Sequence, residues 1–455
     1  MNNPFVDRYA GLSVRHYIQD RTIVRPDPIV CLDECNVNTA ALRLEHRLKE
    51  IFLPNKFAFD FICEVIENSA WYCSQKYPDE ISYNKSIFHP ASDEVIPACL
   101  TGLAGVGKTA LISALLKVLP GPVEYRSGIL GTKIDIISYW VTTGRDKGTP
   151  KQILYDMIQS ASKEPINRAL KVHQLMVMAR SFSGKYGLPL IIMDEMQHVT
   201  LSSATAMITS QILTFAKLGV PLLYVSNYSL QNSLFDRNAE DTQRLTANPR
   251  ILEPDEPESD DWKAYVHECV RVMGPYIAVK AENLTSELHV MTFGLKRYVV
   301  RLLRISYTEA RRKGRSSIDF ADVESAYASA EYTSARTEVL VLKRQLIEGR
   351  CVRRDLWCPY VSPVKKSSAA SEFYVRDNSV QLAKAAIKSS MTPSERAALH
   401  ELSGLTRDLE TELKKPRASK KRVSYDDLLE GHKRSANSGR SNGDTRAESI
   451  EHDDA

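Results

Sequence analysis

Gly102-Leu103-Ala104-Gly105-Val106-Gly107-Lys108-Thr109 is a complete match to the phosphate-binding pattern G-x-x-x-x-G-K-[ST]. An apolar run at 95–100 reads as a strand entering this segment. Residues 110–119, free of Gly and Pro, read as a helix leaving it, and Pro120-Gly121-Pro122 stops that helix. Strand, glycine-rich turn and helix in this order suit phosphate for a physical reason. Gly102, Gly105 and Gly107 let backbone N–H groups turn inward with no Cβ in the way, and the helix start adds partial positive charge at the same point. Val106 and Ala110 complete the cradle. Lys108 reaches the β- and γ-phosphates, and the Thr109 hydroxyl is a ligand for Mg²⁺. The expected cofactors are ATP and Mg²⁺.

A second element follows at Leu190-Ile191-Ile192-Met193-Asp194-Glu195, an apolar strand ending in two carboxylates. Asp194 is placed to hold Mg²⁺. Glu195 is placed to polarise a water for in-line attack on the γ-phosphate, because that water must lose a proton as charge moves onto the leaving group. The adjacent pair disfavours a small-molecule kinase, which needs no water-activating Glu. Further strands are predicted at 133–141, 188–193, 222–226 and 250–252, with helices at 150–160, 167–185 and 204–218. This alternation implies an α/β fold, a parallel sheet flanked by helices. The strand at 222–226 leads into Asn227, a candidate contact for the γ-phosphate or the attacking water. Arg237, Arg244 and Arg250 come next. Arg244 is the first choice for a catalytic finger acting on a neighbouring subunit's γ-phosphate and Arg237 the second, a role that competes with surface or capping roles for each.

At 455 residues the chain has room for two or three domains. Hydrophobic residues at 43% and charged residues at 25% are those of a globular protein. The net charge of +4 does not by itself announce a nucleic-acid binder, so local clusters must carry that reading. Arg145 and Lys147 sit in a glycine-flanked loop at 142–148 and are candidate DNA phosphate contacts, an ordinary polar loop being the competing reading. Six of the nine residues at 414–422 are basic, and an acidic-apolar segment, Tyr425-Asp426-Asp427-Leu428-Leu429, follows. The pair suits DNA or an acidic partner on one side and a docking peptide on the other. The eight cysteines fit no zinc pattern, which points to free thiols in a reducing cytoplasm. The N-terminus has no signal-peptide core, and no apolar run approaches the roughly 20 residues that cross a bilayer, so no membrane partner is expected. The domains expected are a mainly helical region at 1–92, an ATPase core at 93–255, a helical lid at 256–346 and a partner-binding C-terminal region at 347–455. The polar stretch from about residue 435 is expected to be disordered. Helices are predicted at 38–53 and 57–75 in the N-terminal region. In the lid, Gly294-Leu295-Lys296-Arg297 opens a helix running to about Arg312. Arg297 is the candidate to reach back to ATP, with Lys296 as the substitute, and a solvated face is expected for Arg301 and Arg304.

This order of elements resembles the AAA+ superfamily of P-loop NTPases. Within it, Asp194-Glu195-Met196-Gln197-His198 and Gln243-Arg244-Leu245 resemble the TnsC/TniB group of transposition regulators, as does the lid with Phe293-Gly294-Leu295, Leu302-Leu303, Ile318-Asp319 and Asp322-Val323. The resemblance covers residues 93–330. It implies an ATPase that forms a homo-oligomer on double-stranded DNA, a ring or helical filament of about six or seven subunits per turn, and that links a target-selector protein to transposase subunits. The rival readings are a replication initiator or helicase loader on the same core, and a nucleotide-gated scaffold in which hydrolysis is incidental. The intact Asp194-Glu195 pair argues against the scaffold.

Overall fold

Side chains that close their own helix starts divide the N-terminal region. Asn36, Asn55 and Asp79 each accept a hydrogen bond from the backbone N–H three residues on, at 2.9, 2.9 and 2.7 Å. Each such cap is worth about 1 kcal/mol. The helices are α1 (Pro4–Asp7), α2 (Arg15–Thr22), α3 (Val37–Lys49), α4 (Lys56–Lys76) and α5 (Glu80–Phe88). The structure, a computed structural model, describes residues 3–90, 93–128, 131–144, 149–162, 165–196, 204–360 and 370–379, which belong to one compact unit. Arg145 and Lys147, Gln197 and His198, and the tail segments at 414–422 and 425–429 lie outside the described residues.

The core runs β1 (Ala98–Gly102), α6 (Lys108–Val118), β2 (Val123–Arg126), β3 (Lys133–Ile136), β4 (Trp140–Thr143), α7 (Pro150–Ala161), α8 (Val172–Lys185), β5 (Ile191–Asp194), α9 (Ala204–Ala216), β6 (Leu222–Asn227), α10 (Tyr228–Phe235), α11 (Ala239–Thr246) and β7 (Asn248–Leu252). Five strands form one parallel sheet in the order β4-β5-β6-β1-β7. This is the α/β P-loop NTPase fold of AAA+ proteins. Strand period explains its two layers of helices. Successive residues Leu222, Leu223, Tyr224 and Val225 alternate between two buried clusters, as do Cys99 with Leu100 and Ile191 with Ile192. One cluster takes α4, α6 and the lid, the other α7, α8, α9 and α10. A parallel strand covered on both faces has no need for polar alternation, which is why its sequence reads as an apolar run.

Two predicted elements and one predicted solvated side chain come out differently. The strand expected at 133–141 is two strands. β3 pairs antiparallel with β2 as a separate ribbon, and β4 joins the main sheet. Between them Ser138 donates its hydroxyl to the Pro120 carbonyl at 2.7 Å, and the Ile137 N–H bonds the Tyr186 carbonyl at 2.9 Å. These bonds turn the chain out of one ladder and into another. The helix expected from Asn167 starts at Val172, because the Asn167 side chain accepts from the Ala169 N–H at 2.9 Å and closes a turn instead. Arg304 is not on a solvated face. It pairs with Glu45 of α3 at 3.2 Å and with Glu331, and Arg301 donates to the Glu331 carbonyl.

The lid comprises α12 (Asp260–Met273), α13 (Ala281–Thr292), α14 (Lys296–Arg312), α15 (Phe320–Ala328) and α16 (Thr333–Glu348). α3 packs along α14, so the N-terminal helices lie against both core and lid. After α16 the chain returns to the core. Asn232 of α10 donates to the Arg354 and Trp357 carbonyls at 2.7 and 3.1 Å. No helix among the described residues is long and apolar enough to cross a membrane.

Leu44 and Leu42 test the docking of α3. Leu44 is fully buried and Leu42 is 63% exposed. Leu44→Ala should cost about 2–5 kcal/mol, and Leu42→Ala should change stability by no more than about 0.5 kcal/mol. Denaturant unfolding monitored by circular dichroism reads both, and equal losses would reject this packing.

Candidate functional site

In a parallel sheet the carboxyl ends of all strands lie along one edge. Gly102 of β1 stands directly opposite Asn227 of β6, and Leu252 of β7 stands opposite Gly102 on the other side. β6 separates β1 from β5, so Asn227 lies between the phosphate loop and Asp194. Gly102 is forced by this packing. A Cβ there would sit 2.3 Å from the Leu252 carbonyl oxygen.

The loop from 103 to 107 leads into α6 at Lys108. Lys108 and Thr109 therefore occupy the first helical turn, where free N–H groups and the helix dipole favour an anion. Gly105 has φ +85°, and a Cβ there would lie 2.8 Å from the Cβ of Arg297. The Arg297 N–H donates to the Gly105 carbonyl at 3.3 Å. The lid thus rests on the loop with backbone touching backbone.

A cavity of about 440 Å³ opens on this edge. Gly105, Gly107, Lys108, Thr109 and Ala110 line it from the loop side, Asp194, Glu195 and Asn227 from the strand ends, and Arg297 from the lid. The Lys108 ammonium is turned inward. It is 7% exposed and donates to the Gly102 and Leu103 carbonyls, each at 2.9 Å. Burial, and then the nearby Arg297 guanidinium, lower its pKa to about 8, against the opposite pull of Glu195 and Asp194. Glu195 has φ +57°, a left-handed conformation that costs a side chain of this size about 1–3 kcal/mol. Its N–H donates to Asp194 Oδ1 at 2.8 Å, and its Oε1 accepts from the Thr109 hydroxyl at 3.3 Å. Asn227 is the N-cap of α10, yet its side chain makes no capping bond.

The oxygen donors here are hard ones, the Thr109 hydroxyl and the Asp194 and Glu195 carboxylates. Among the described residues no group of three or more His, Cys, Asp or Glu could hold a metal alone. The set fits Mg²⁺, which keeps waters and is completed by nucleotide phosphates rather than by a protein cage.

Sequence reasoning missed a second, more apolar cavity of about 130 Å³ that shares Lys49, Gly107 and Ala110 with the first. Leu48, Ile51 and Phe52 come to it from the N-terminal region, Val106 and Leu111 from the loop and α6, and Tyr265, Lys296 and Val300 from the lid. Apolar walls with an aromatic ring and a few polar groups suit a flat nucleobase. Val106 and Lys296 line this cavity and not the larger one, while Arg297 lines the larger one. No local pattern could have found it, since its walls come from four separated segments.

None of Arg237, Arg244 and Arg250 lines either cavity. Arg250 ties β7 to α4 through Glu64, with Nε at 2.8 Å. Arg237 pairs with Asp241 at 2.9 Å. Arg244, on α11, pairs with Glu94 and with Glu240, the latter at 3.5 Å.

Residues 97–234 match the AAA domain family. The match and the site geometry together make this an ATPase domain. Among solved structures, the chain is similar to Aeropyrum pernix ORC1 in complex with DNA, at 17% identity over 59% of this chain and 70% of that one, with a TM-score of 0.36. It is similar to Drosophila ORC bound to DNA, at 13% identity over 85% and 87%, TM-score 0.36. It is also similar to the Thermotoga maritima RuvB Holliday junction branch migration motor, at 14% identity over 62% and 75%, TM-score 0.31. No curated protein matches the chain in sequence.

The lowered pKa of Lys108 has a measurable consequence. Phosphates favour its charged form, so nucleotide binding raises this pKa above the free value of about 8. Binding should therefore take up a proton when pH exceeds about 8, and affinity should weaken as pH rises further, by at most about tenfold per unit. Titration calorimetry in buffers of different ionisation enthalpy reads the proton directly. Affinity that stays flat from about pH 7 to pH 9 would reject the assignment.

Proposed function

We propose that this chain is an ATP-dependent, DNA-binding regulator of transposition, which oligomerises on duplex DNA and links a target-selector protein to transposase subunits. The observation that carries the ATP-driven part is the convergence of Lys108, Thr109, Asp194, Glu195, Asn227 and Arg297 on one cavity. The transposition part is supported by the resemblance of the segments at 194–198 and 243–245 to that group of regulators.

On nucleotide binding, Lys108 exchanges the Gly102 and Leu103 carbonyls for β- and γ-phosphate oxygens. Thr109 and Asp194 would hold Mg²⁺, whose charge offsets that of the phosphates. Glu195 accepts the proton of the attacking water, Asn227 orients that water or the γ-phosphate, and Arg297 balances charge from the lid. The apolar cavity beside the loop takes the base. Arg244 acts in trans, exchanging its Glu94 partner for the γ-phosphate of a neighbouring subunit, so that assembly and hydrolysis depend on each other. Arg145 and Lys147 contact DNA phosphates. The basic run at 414–422 and the segment at 425–429 serve partners.

Glu195→Gln should bind ATP normally and hydrolyse it about 10²-fold more slowly or worse, because an amide cannot accept the proton. Turnover at the wild-type rate would remove Glu195 from this role. Lys108→Ala should instead lose nucleotide binding itself.

Electron microscopy with duplex DNA should show rings or filaments in ATP and none without nucleotide. The binding should fall steeply with salt, as phosphate contacts require. Tight, sequence-specific DNA binding without ATP would replace this reading with that of a replication initiator.

A further inference from the structure

Asp255, three residues beyond the end of β7, is where the core grips the lid. Its side chain is 4% exposed. Asn55, the N-cap of α4, donates to its Oδ1 at 2.8 Å, and Lys296 at the start of α14 pairs with its Oδ2 at 3.1 Å. His289 Nε2 of α13 bonds its main-chain oxygen at 2.8 Å. A carbonyl only accepts, so this His289 nitrogen carries the proton. Burial lowers the His289 pKa to about 4 and keeps the ring neutral, leaving Nδ1 to accept from the Tyr374 hydroxyl at 2.7 Å. One residue thus joins the N-terminal region and two lid helices to the end of the sheet.

The side chain after Lys296 is that of Arg297, the lid residue facing the phosphates. The lid has little slack at either end of this stretch. A Cβ at Gly294 would lie 2.9 Å from both the Asp255 oxygen and His289 Nε2, and a Cβ at Gly105 would lie 2.8 Å from the Cβ of Arg297. A shift of Lys296 is therefore a shift of Arg297. Lys296 also stands over the Tyr265 ring at 5.3 Å, in the wall of the apolar cavity.

We propose that Asp255 is a positioning residue: by holding Lys296 it fixes Arg297 against the phosphate loop and so sets the preference of the site for ATP over ADP. The inference rests on the nucleotide reading of the two cavities. Asp255 itself faces the base side, away from the reacting phosphate.

Dissociation constants for ATP and ADP, measured on the full chain, test it without DNA or turnover. Arg297→Ala should lower the ATP preference about tenfold or more, a change of about 1.4 kcal/mol. Asp255→Asn keeps the size of the side chain and removes its charge. It should lower the preference similarly, and Asp255→Asn with Arg297→Ala should be no worse than Arg297→Ala alone. The pair Asp255→Asn with Lys296→Met leaves no buried unpaired charge and should give the same loss, which covers failure of the single variant to fold. A wild-type chain with no ATP preference, an unchanged preference in either folded Asp255 variant, or losses that multiply in the double variant would overturn the proposal. A wild type that prefers ATP but never hydrolyses it would overturn the hydrolytic cycle alone.

Discussion

The parallel pairing of β1 with β6 on one side and β7 on the other sets the geometry on which the site depends. It aligns Gly102 with Asn227 and with Leu252. The first alignment brings a polar strand tip beside the phosphate loop. The second presses the Leu252 carbonyl so close that only glycine fits at the end of β1. The strand order then puts Asp194 and Glu195 one strand further along the same edge. The phosphate loop and the ends of β5 and β6, three segments far apart in sequence, share one cavity because the backbone hydrogen bonds of the sheet set their spacing.

Electrostatics suit this edge to an anion. Lys49, Lys108 and Arg297 bring three cationic side chains to one small cavity, and Lys108 is nearly buried. Two backbone carbonyls hold its ammonium, yet its proton is still bound more weakly than usual. Asp194 and Glu195 offset part of that charge but lie at the strand ends. The left-handed backbone of Glu195 is a second constraint at this edge, since such strain persists only where the surrounding structure enforces it.

The N-terminal helices belong to this arrangement. α3 packs against the lid helix α14, Lys49 at its end borders both cavities, and Asn55 caps α4 while bonding Asp255. They supply walls for both cavities and contact the lid. The same contacts explain Arg304, whose partner Glu45 comes from more than two hundred residues away.

Local chemistry was legible in the sequence. The phosphate loop, the acidic strand end and the apolar strands each depend on residues within one or two turns, so a short window contains the cause. The sequence by itself determined that the chain builds a P-loop α/β core with a helical lid, and it singled out Lys108, Thr109, Asp194, Glu195, Asn227 and Arg297. The tertiary structure decided which of two neighbours in the lid lines the cavity beside the phosphate loop, that residues 133–141 serve two different sheets, that an apolar cavity adjoins it, and that Asp255 binds three regions together. Each of these depends on pairings between distant segments, and a one-dimensional pattern carries no record of which strand lies beside which.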